Sequence, residues 1–394
     1  MVIPISVFVS TITMALAASV RTKPKGPVKP DSYIVVLKPG EDMEHHIEGI
    51  TRISARNPGS EFSINHRYEM LNAYSAHVTG ASLSRILSRP EVEYVEADAI
   101  VSIYDGLHEM NEGLVTEFND VPAEIRDDPG ELRGRASGKP VEIIVIDGGV
   151  ALYHSWFLNE DGSTRVVGGA AVGDGNALVD LNGHGTMVAG RAVGNIYGVT
   201  TEATVFSIKV FSDSGTALTT TVIEGIKLAL DRFGITKSHS IVILSFATEF
   251  GSILDKVVNY AVGMGLHVVV PAGDHSKNVK NSVSPATAKN AITVGALESC
   301  GPTRLASFSN YGPSVGFYAD GTGIRVPEIS SSTAWKIESG TALSAAFVAG
   351  AIAEWLRRQN DLVRPTQLKY DLRRHGIQDV RDPTGKKKWR VVLF

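Results

Sequence analysis

Four largely apolar runs, Val141–Asp147, Val205–Phe211, Ser240–Phe246 and Leu266–Pro271, alternate with helix-patterned stretches near His184–Val193, Ala217–Phe233 and Ser252–Met264. Strands that are apolar on both faces must be covered on both, and strands joined through helices run parallel. The pattern therefore predicts a three-layer α/β domain with a central parallel sheet. Ligands in such sheets gather beyond the carboxyl ends of the strands, where Asp147 and Asp274 fall. A further run, Ala342–Leu356, is apolar on nearly every face and reads as a helix buried within the domain.

Upstream, the pattern changes. From Asp31 to Tyr104 strand and helix signals follow in the order β-α-β-β-α-β: SYIVVLK, GEDMEHHIEGITRISA, EFSINHRY, AYSAHVT, ASLSRILS and EVEYVEADAIV. That order is ferredoxin-like α+β. The division expected is a signal peptide over 1–18, a small domain over 31–104, an exposed connection over 105–139 rich in acids and glycines, and the large domain over 140–394. The apolar start ends in Ala15-Leu16-Ala17, and Ser10, Thr11 and Thr13 interrupt it, which argues for entry to the secretory pathway (secreted or vacuolar) rather than a stable membrane anchor.

A net charge of -4 over 394 residues argues against nucleic acid as a partner. The basic cluster Lys386–Lys388 with Arg390 reads as solvated surface, and the neighbours His45 and His46 read as surface histidines, since adjacent helical positions point apart. A single cysteine, Cys300, permits no internal disulfide and is expected to be a buried or idle thiol.

Three stretches carry chemistry. VEIIVIDGGV ends a strand in Asp147, NGHGTMVAG sets His184 between glycines, and SGTALSAAFVAG leads through Gly340 and Thr341 into the buried helix. A nucleophile in that helix's first turn would feel its positive end. A serine triad needs a hydroxyl, an imidazole to take its proton and a buried carboxylate to orient the ring. Here the order is acid, histidine, and then Ala342.

These motifs resemble the subtilases, and more narrowly the fungal proteinase K group, over roughly residues 140 to 358. YGVTTEATVFSIKVFSDSG (Tyr197–Gly215), SPATAKNAITVGA (Ser284–Ala296) and SFSNYG (Ser307–Gly312) carry the same likeness. YIVVLKPG, LNAYSAHVTG and PEVEYVEAD resemble the subtilase propeptide, an inhibitor I9-like domain. The resemblance implies that this domain templates folding and leaves its tail in the substrate cleft, so the chain's own propeptide is an expected partner.

Against that family the site is altered. The nucleophile position holds Ala342, and the oxyanion position in PAGDHSKN holds Asp274, where the family's asparagine donates to the tetrahedral intermediate. An ionised carboxylate offers no donor and repels the charge that must form. Loss of the serine costs subtilisin roughly a millionfold in turnover. The substrate walls differ too: after Leu244 and Ser245 the resemblance implies a small glycine-rich strand, but the chain reads Phe246, Ala247 and Thr248, whose side chains are expected to crowd the pairing backbone. Thr216, Ala217, Leu218 and Thr219 replace Ser-Gly-x-Tyr. Ser344 lies two positions along the helix from Ala342 and is turned away from His184.

Resemblance also raises calcium, through the carbonyls of Pro285 and Thr287 with Glu298 where an aspartate is usual. No other cofactor is implied. Three functions stand open: a pseudopeptidase that binds a peptide or protein, a repurposed enzyme performing cyclase- or isomerase-type acid-base chemistry on a small molecule with His184, Asp147 and Asp274, and a serine endopeptidase by family. His184 is expected between the two acids, with its pKa raised if both lie within contact.

Overall fold

The computed structural model describes residues 19–20, 26–103, 141–173, 175–249, 251–280, 283–299, 301 and 303–393. The signal-peptide segment, the 105–139 connection and Cys300 lie outside the described residues. Among the described residues, those up to 20 and 29–98 form one compact unit, and 26–28 with those from 99 onward form the other.

The smaller unit is built from β1 (Ser19–Val20), β2 (Val28–Leu37), α1 (Met43–Ser54), β3 (Phe62–Tyr68), β4 (Ala73–Val78), α2 (Ala81–Leu87) and β5 (Val92–Ser102), whose last residues, from Ala99, belong to the larger unit. Its sheet runs β1-β5-β2-β4-β3, the ferredoxin-like order with one short strand added at the edge. Alternate residues of β2 and β4, Val35, Leu37, Tyr74 and Ala76, meet Ile47 and Ile50 of α1 and Ile86 of α2 in one apolar core. Asp42 caps α1 by accepting the His45 N–H at 3.0 Å.

His46 departs from the surface reading. It lies on the inner face of α1 with Ile47, Ile50 and Ser54, its Nδ1 2.9 Å from Glu91 and its Nε2 3.0 Å from the Tyr74 hydroxyl. The four-residue spacing from His46 to Ile50 was the overlooked signal, because it places both on one stripe. His45 is exposed.

The larger unit holds β6 (Val141–Asp147), β7 (Val166–Ala171), α3 (His184–Val193), β8 (Thr204–Lys209), β9 (Thr216–Leu218), α4 (Thr219–Thr236), β10 (His239–Leu244), β11 (Thr248–Glu249), α5 (Ser252–Gly263), β12 (His267–Pro271), β13 (Val283–Ser284), β14 (Ile292–Leu297), β15 (Phe317–Asp320), β16 (Ile324–Pro327), β17 (Trp335–Glu338), α6 (Thr341–Leu356), α7 (Pro365–His375), β18 (Ile377–Arg381) and β19 (Lys387–Arg390). Nine strands form one sheet in the order β18-β19-β15-β14-β12-β10-β6-β8-β7, parallel throughout except for the β18–β19 hairpin.

The two faces of β6 explain the three layers. Ile143 and Val145 join Val188 and Ala192 of α3 and Ala345 and Ala349 of α6 in one core. Ile146 points the other way, toward α4, where Gly225 comes so close that a Cβ there would meet Val210 at 2.4 Å and Ile146 at 3.3 Å. Because α6 is buried along most of its length, its first turn is held where the strands end.

Two local expectations are corrected. Ala217 was expected to open a helix but lies in β9, and α4 starts at Thr219, because the segment is used as a strand paired to β5. Lys388 is buried rather than solvated, its Nζ donating to the carbonyls of Gly312 at 2.9 Å and Val315 at 2.7 Å, and Arg390 is only partly exposed. The alternation of β19 sends Lys388 inward while Lys387 stays exposed.

Candidate functional site

The site begins where β6 stops. Asp147 is fully buried, and its Oδ1 accepts the Gly148 N–H at 2.6 Å. Leu244 of β10 lies in register with Ile146, so the next residue, Ser245, arrives beside Asp147 and its hydroxyl donates to Oδ2. On that same oxygen, at 2.7 Å, is His184 Nδ1, from the first residue of α3. The approach requires Gly185, since a Cβ there would meet the Gly149 carbonyl at 2.1 Å and Asp147 Cβ at 3.0 Å.

Asp180 holds the loop that delivers His184. Its Oδ1 accepts from the N–H groups of Asn182 at 3.1 Å and Gly183 at 2.8 Å, and its Oδ2 from the Thr186 N–H at 2.9 Å and hydroxyl at 2.7 Å. The sequence reading missed this residue. Its signal was an aspartate shortly before a glycine at a helix start, a local side-chain to backbone motif.

His184 titrates above its ordinary value. Burial alone pulls it down, but the Asp147 carboxylate, through charge and hydrogen bond, and then Asp180 outweigh burial, while Lys336 works against them. The second anion acting on the ring is thus Asp180, where Asp274 was expected.

Asp274 lines the same small cavity as His184 but serves another element. Its Oδ1 accepts the Thr341 N–H at 2.9 Å, at the start of α6, and the Gly273 N–H donates to Thr341 Oγ1 at 3.1 Å. A carboxylate there satisfies an end-of-helix N–H and complements the helix dipole. Ala342 follows, 7 % exposed, its side chain a methyl group. Ser344 is fully buried and donates to the Asp320 carbonyl at 3.3 Å, which removes it as a substitute for the missing hydroxyl.

The walls behave differently from expectation. The Phe246 ring turns inward, edge-on to Phe211 with centroids 5.3 Å apart, and Thr248 pairs with Ser284 in the β11–β13 ladder. Opposite them, Ile100, Val101 and Ser102 of β5 pair antiparallel with Leu218, Ala217 and Thr216 of β9. The Ile103 N–H donates to Gly215 O at 3.1 Å, and the Thr219 hydroxyl to Ala99 O at 3.3 Å. Changed side chains leave this pairing intact because it is made by backbone groups. Ser102 and Ile103 line the cavity with His184, Ser245, Asp274 and Ala342, and the remaining volume is about 20 Å³.

The subtilase family profile matches residues 138–381, and a peptidase inhibitor I9 profile matches residues 32–104. The chain is a subtilase. It is 33% identical over 339 residues to a cuticle-degrading serine protease of Arthrobotrys oligospora, covering 83% of this chain and 81% of that protein. An alkaline proteinase of Hapsidospora chrysogena is 31% identical, with 88% and 87% covered. The crystal structure of a cold adapted subtilisin-like serine proteinase superposes with a TM-score of 0.58 at 30% identity, covering 64% of this chain and 89% of that one. The larger unit therefore has the subtilisin-like fold, and the smaller carries the I9 propeptide signature.

The residues that would hold a calcium ion are the carbonyls of Pro285 and Thr287 with the Glu298 carboxylate. The Pro285 carbonyl already closes a turn by accepting the Ala288 N–H at 3.0 Å, and Glu298 is exposed. The acid hydrogen-bonded to Thr287 is the partly buried Asp255, which accepts from the hydroxyls of Ser284 and Thr287, each at 2.6 Å. Among the described residues no three His, Cys, Asp or Glu side chains converge to hold a metal.

Proposed function

We propose that this subtilase holds an extended peptide strand in its cleft without hydrolysing it, as a pseudopeptidase with a binding or scaffold role on the secretory route. The observation that carries the reading is the methyl group of Ala342 at the head of α6, where the serine mechanism needs an oxygen. Two further features support it. The Asp274 carboxylate faces the cavity in which an oxyanion would have to form, and β9 pairs with a strand through its backbone. Among the described residues no helix is long and apolar enough to cross a membrane.

The test is treatment of the purified full chain with a fluorophosphonate probe and with peptide substrates after rigorous depletion of contaminating proteases. We expect no label and no turnover, and slow binding of peptides that form antiparallel strands. Labelling at the site or sustained cleavage would return the chain to the serine endopeptidases its family contains.

One observation favours a second reading. His184 and Asp147 keep a buried 2.7 Å contact, the dyad an acid-base catalyst requires. A small-molecule enzyme would need room, and about 20 Å³ holds roughly one water. That reading therefore requires Ser102 and Ile103 to leave the cavity. Replacement of His184 by alanine separates the two: loss of a small-molecule product supports the enzyme, and unchanged peptide capture supports the scaffold.

A further inference from the structure

The last elements of the sheet concentrate positive charge. Residues 364–390 contain nine Lys and Arg against three Asp, in a chain whose net charge is -4. α7 ends in Arg373, Arg374 and His375 and passes at once into β18, which pairs antiparallel with β19. Arg373, Arg374, Arg381, Lys386 and Lys387 are all exposed. Among the described residues none of these five is held by a carboxylate, whereas their neighbours Lys388 and Arg390 are engaged by Asp382 and Asp379.

The hairpin register sets two of these cations side by side, and the helix that carries Arg373 and Arg374 leads into the same hairpin. Arg381 stands directly opposite Lys387 in the β18–β19 ladder, a like-charge pair that opposes the hairpin. Burial lowers the pKa of the Lys388 ammonium, Asp382 raises it, and Lys386, from the turn, and Arg373, from the helix end, lower it further. The dipole of α7 accounts for the cations of its last turn. It does not account for Arg381, Lys386 or Lys387, which lie beyond the helix.

Apolar groups stand among them. Tyr370 is 61 % exposed and sits one turn before Arg373 and Arg374 on the same side of α7, and Ile377, 43 % exposed, follows the helix after Gly376. A soluble polyanion would neutralise the cations and leave both side chains in water. A bilayer with anionic headgroups satisfies both, taking the cations at its surface and the apolar groups at the acyl boundary.

We propose that the α7–β18–β19 face docks this protein reversibly on an anionic lipid surface. The remainder of the chain is net negative, so only this face is attracted, and docking is oriented. β18 and β6 lie at the edge and near the middle of the sheet, six strand steps or roughly 30 Å apart, so a docked molecule leaves the His184 cavity away from the bilayer. The proposal is independent of whether the cleft is catalytic.

The experiment is co-sedimentation of the full chain with phosphatidylcholine vesicles, with and without phosphatidylserine, at low and high salt. Binding is expected only with phosphatidylserine, and high salt, which shortens screening below about 10 Å, releases it. Arg381→Glu with Lys386→Glu and Lys387→Glu weakens binding about a hundredfold. The gentler set Arg381→Gln, Lys386→Gln and Lys387→Gln weakens it less, and an unchanged thermal melt checks that either variant is folded. Tyr370→Ser with Ile377→Ser weakens vesicle binding but leaves retention on a sulfated polysaccharide column unchanged. Absence of phosphatidylserine-dependent binding overturns the proposal. So does vesicle binding indifferent to Tyr370→Ser and Ile377→Ser, which would make the face a general polyanion site.

Discussion

Two buried histidines in this protein each lie against a carboxylate at nearly the same distance, yet they titrate in opposite directions. In the smaller unit His46 Nδ1 is 2.9 Å from Glu91, and its pKa is lowered. In the larger unit His184 Nδ1 is 2.7 Å from Asp147, and its pKa is raised. Burial is the largest influence on both and disfavours the charged ring in each. The difference lies around the pairs. Glu91 is partly open to solvent, and Arg89 and His45 oppose a charge on His46, whereas Asp147 is sealed and Asp180 adds a second anion. A third histidine, His267, is 2 % exposed, has no carboxylate among its influences and sits by His239 on the neighbouring strand; burial takes it down to about 3. A contact distance thus says little about protonation until solvent access and the next charges are counted.

The comparison breaks most visibly at Asp147. Asp147→Ala removes the acceptor of Gly148, Ser245 and His184 together, with an expected loss of about 3 kcal/mol in denaturant unfolding. In Asp147→Asn the His184 midpoint, followed by ring-proton NMR, should fall below that of the parent. A midpoint that did not move would dismiss the dyad as the source of the shift.

Next in size is His267. A histidine depressed in the fold leaves stability intact above its unfolded value near 6.5 and removes it as pH falls toward 3. His267→Leu should therefore gain about 2 kcal/mol relative to the parent between neutral pH and pH 5, read from paired denaturant curves. The sign for His184 is the reverse: its protonation stabilises the fold below the unfolded value, and that contribution is lost as pH rises through the raised one.

Asp180→Ala is expected to cost about 2 kcal/mol, through the buried loop N–H groups it leaves unsatisfied, and to lower the His184 midpoint less than Asp147→Asn does. Glu91→Gln should lower the His46 midpoint further at a cost of about 1 kcal/mol. The smallest change is Arg89→Gln, which should raise the His46 midpoint slightly while leaving the melt in place. If Arg89→Gln and Glu91→Gln moved His46 the same way, the account of the smaller unit would fail.

The fold was legible because it rests on periodicity. The apolar runs at Val141–Asp147 and Leu266–Pro271 read as doubly covered strands and the longer run at Ala342–Leu356 as an interior helix, and the structure has them so. Asp147 and His184 were legible from short motifs because strand end and helix start are local. Partnership through space was not. Nothing in the chain order distinguishes Asp180 from Asp274 as the second charge on His184, since the choice depends on which loop turns back to which helix. The inward turns of His46 and Lys388 went unseen for a related reason: a polar residue on an apolar stripe looks solvated until its buried acceptors are known. The segment around Ala217 was misread because a strand of three residues has no period of its own and exists through its pairing with β5.

The bond from the Thr341 N–H to Asp274 also bears on what substituting the family's residues at 274 and 342 would do. An asparagine at 274 would keep that same acceptor oxygen and give up only the anionic contribution at the helix start, about 0.3 to 1 kcal/mol, while regaining an amide donor. Restoring an oxygen on the Cβ of residue 342 while the carboxylate stays would build a nucleophile facing a repulsive neighbour. In mutational terms the way back has a preferred order, amide before hydroxyl, and its first step carries no reward in rate by itself.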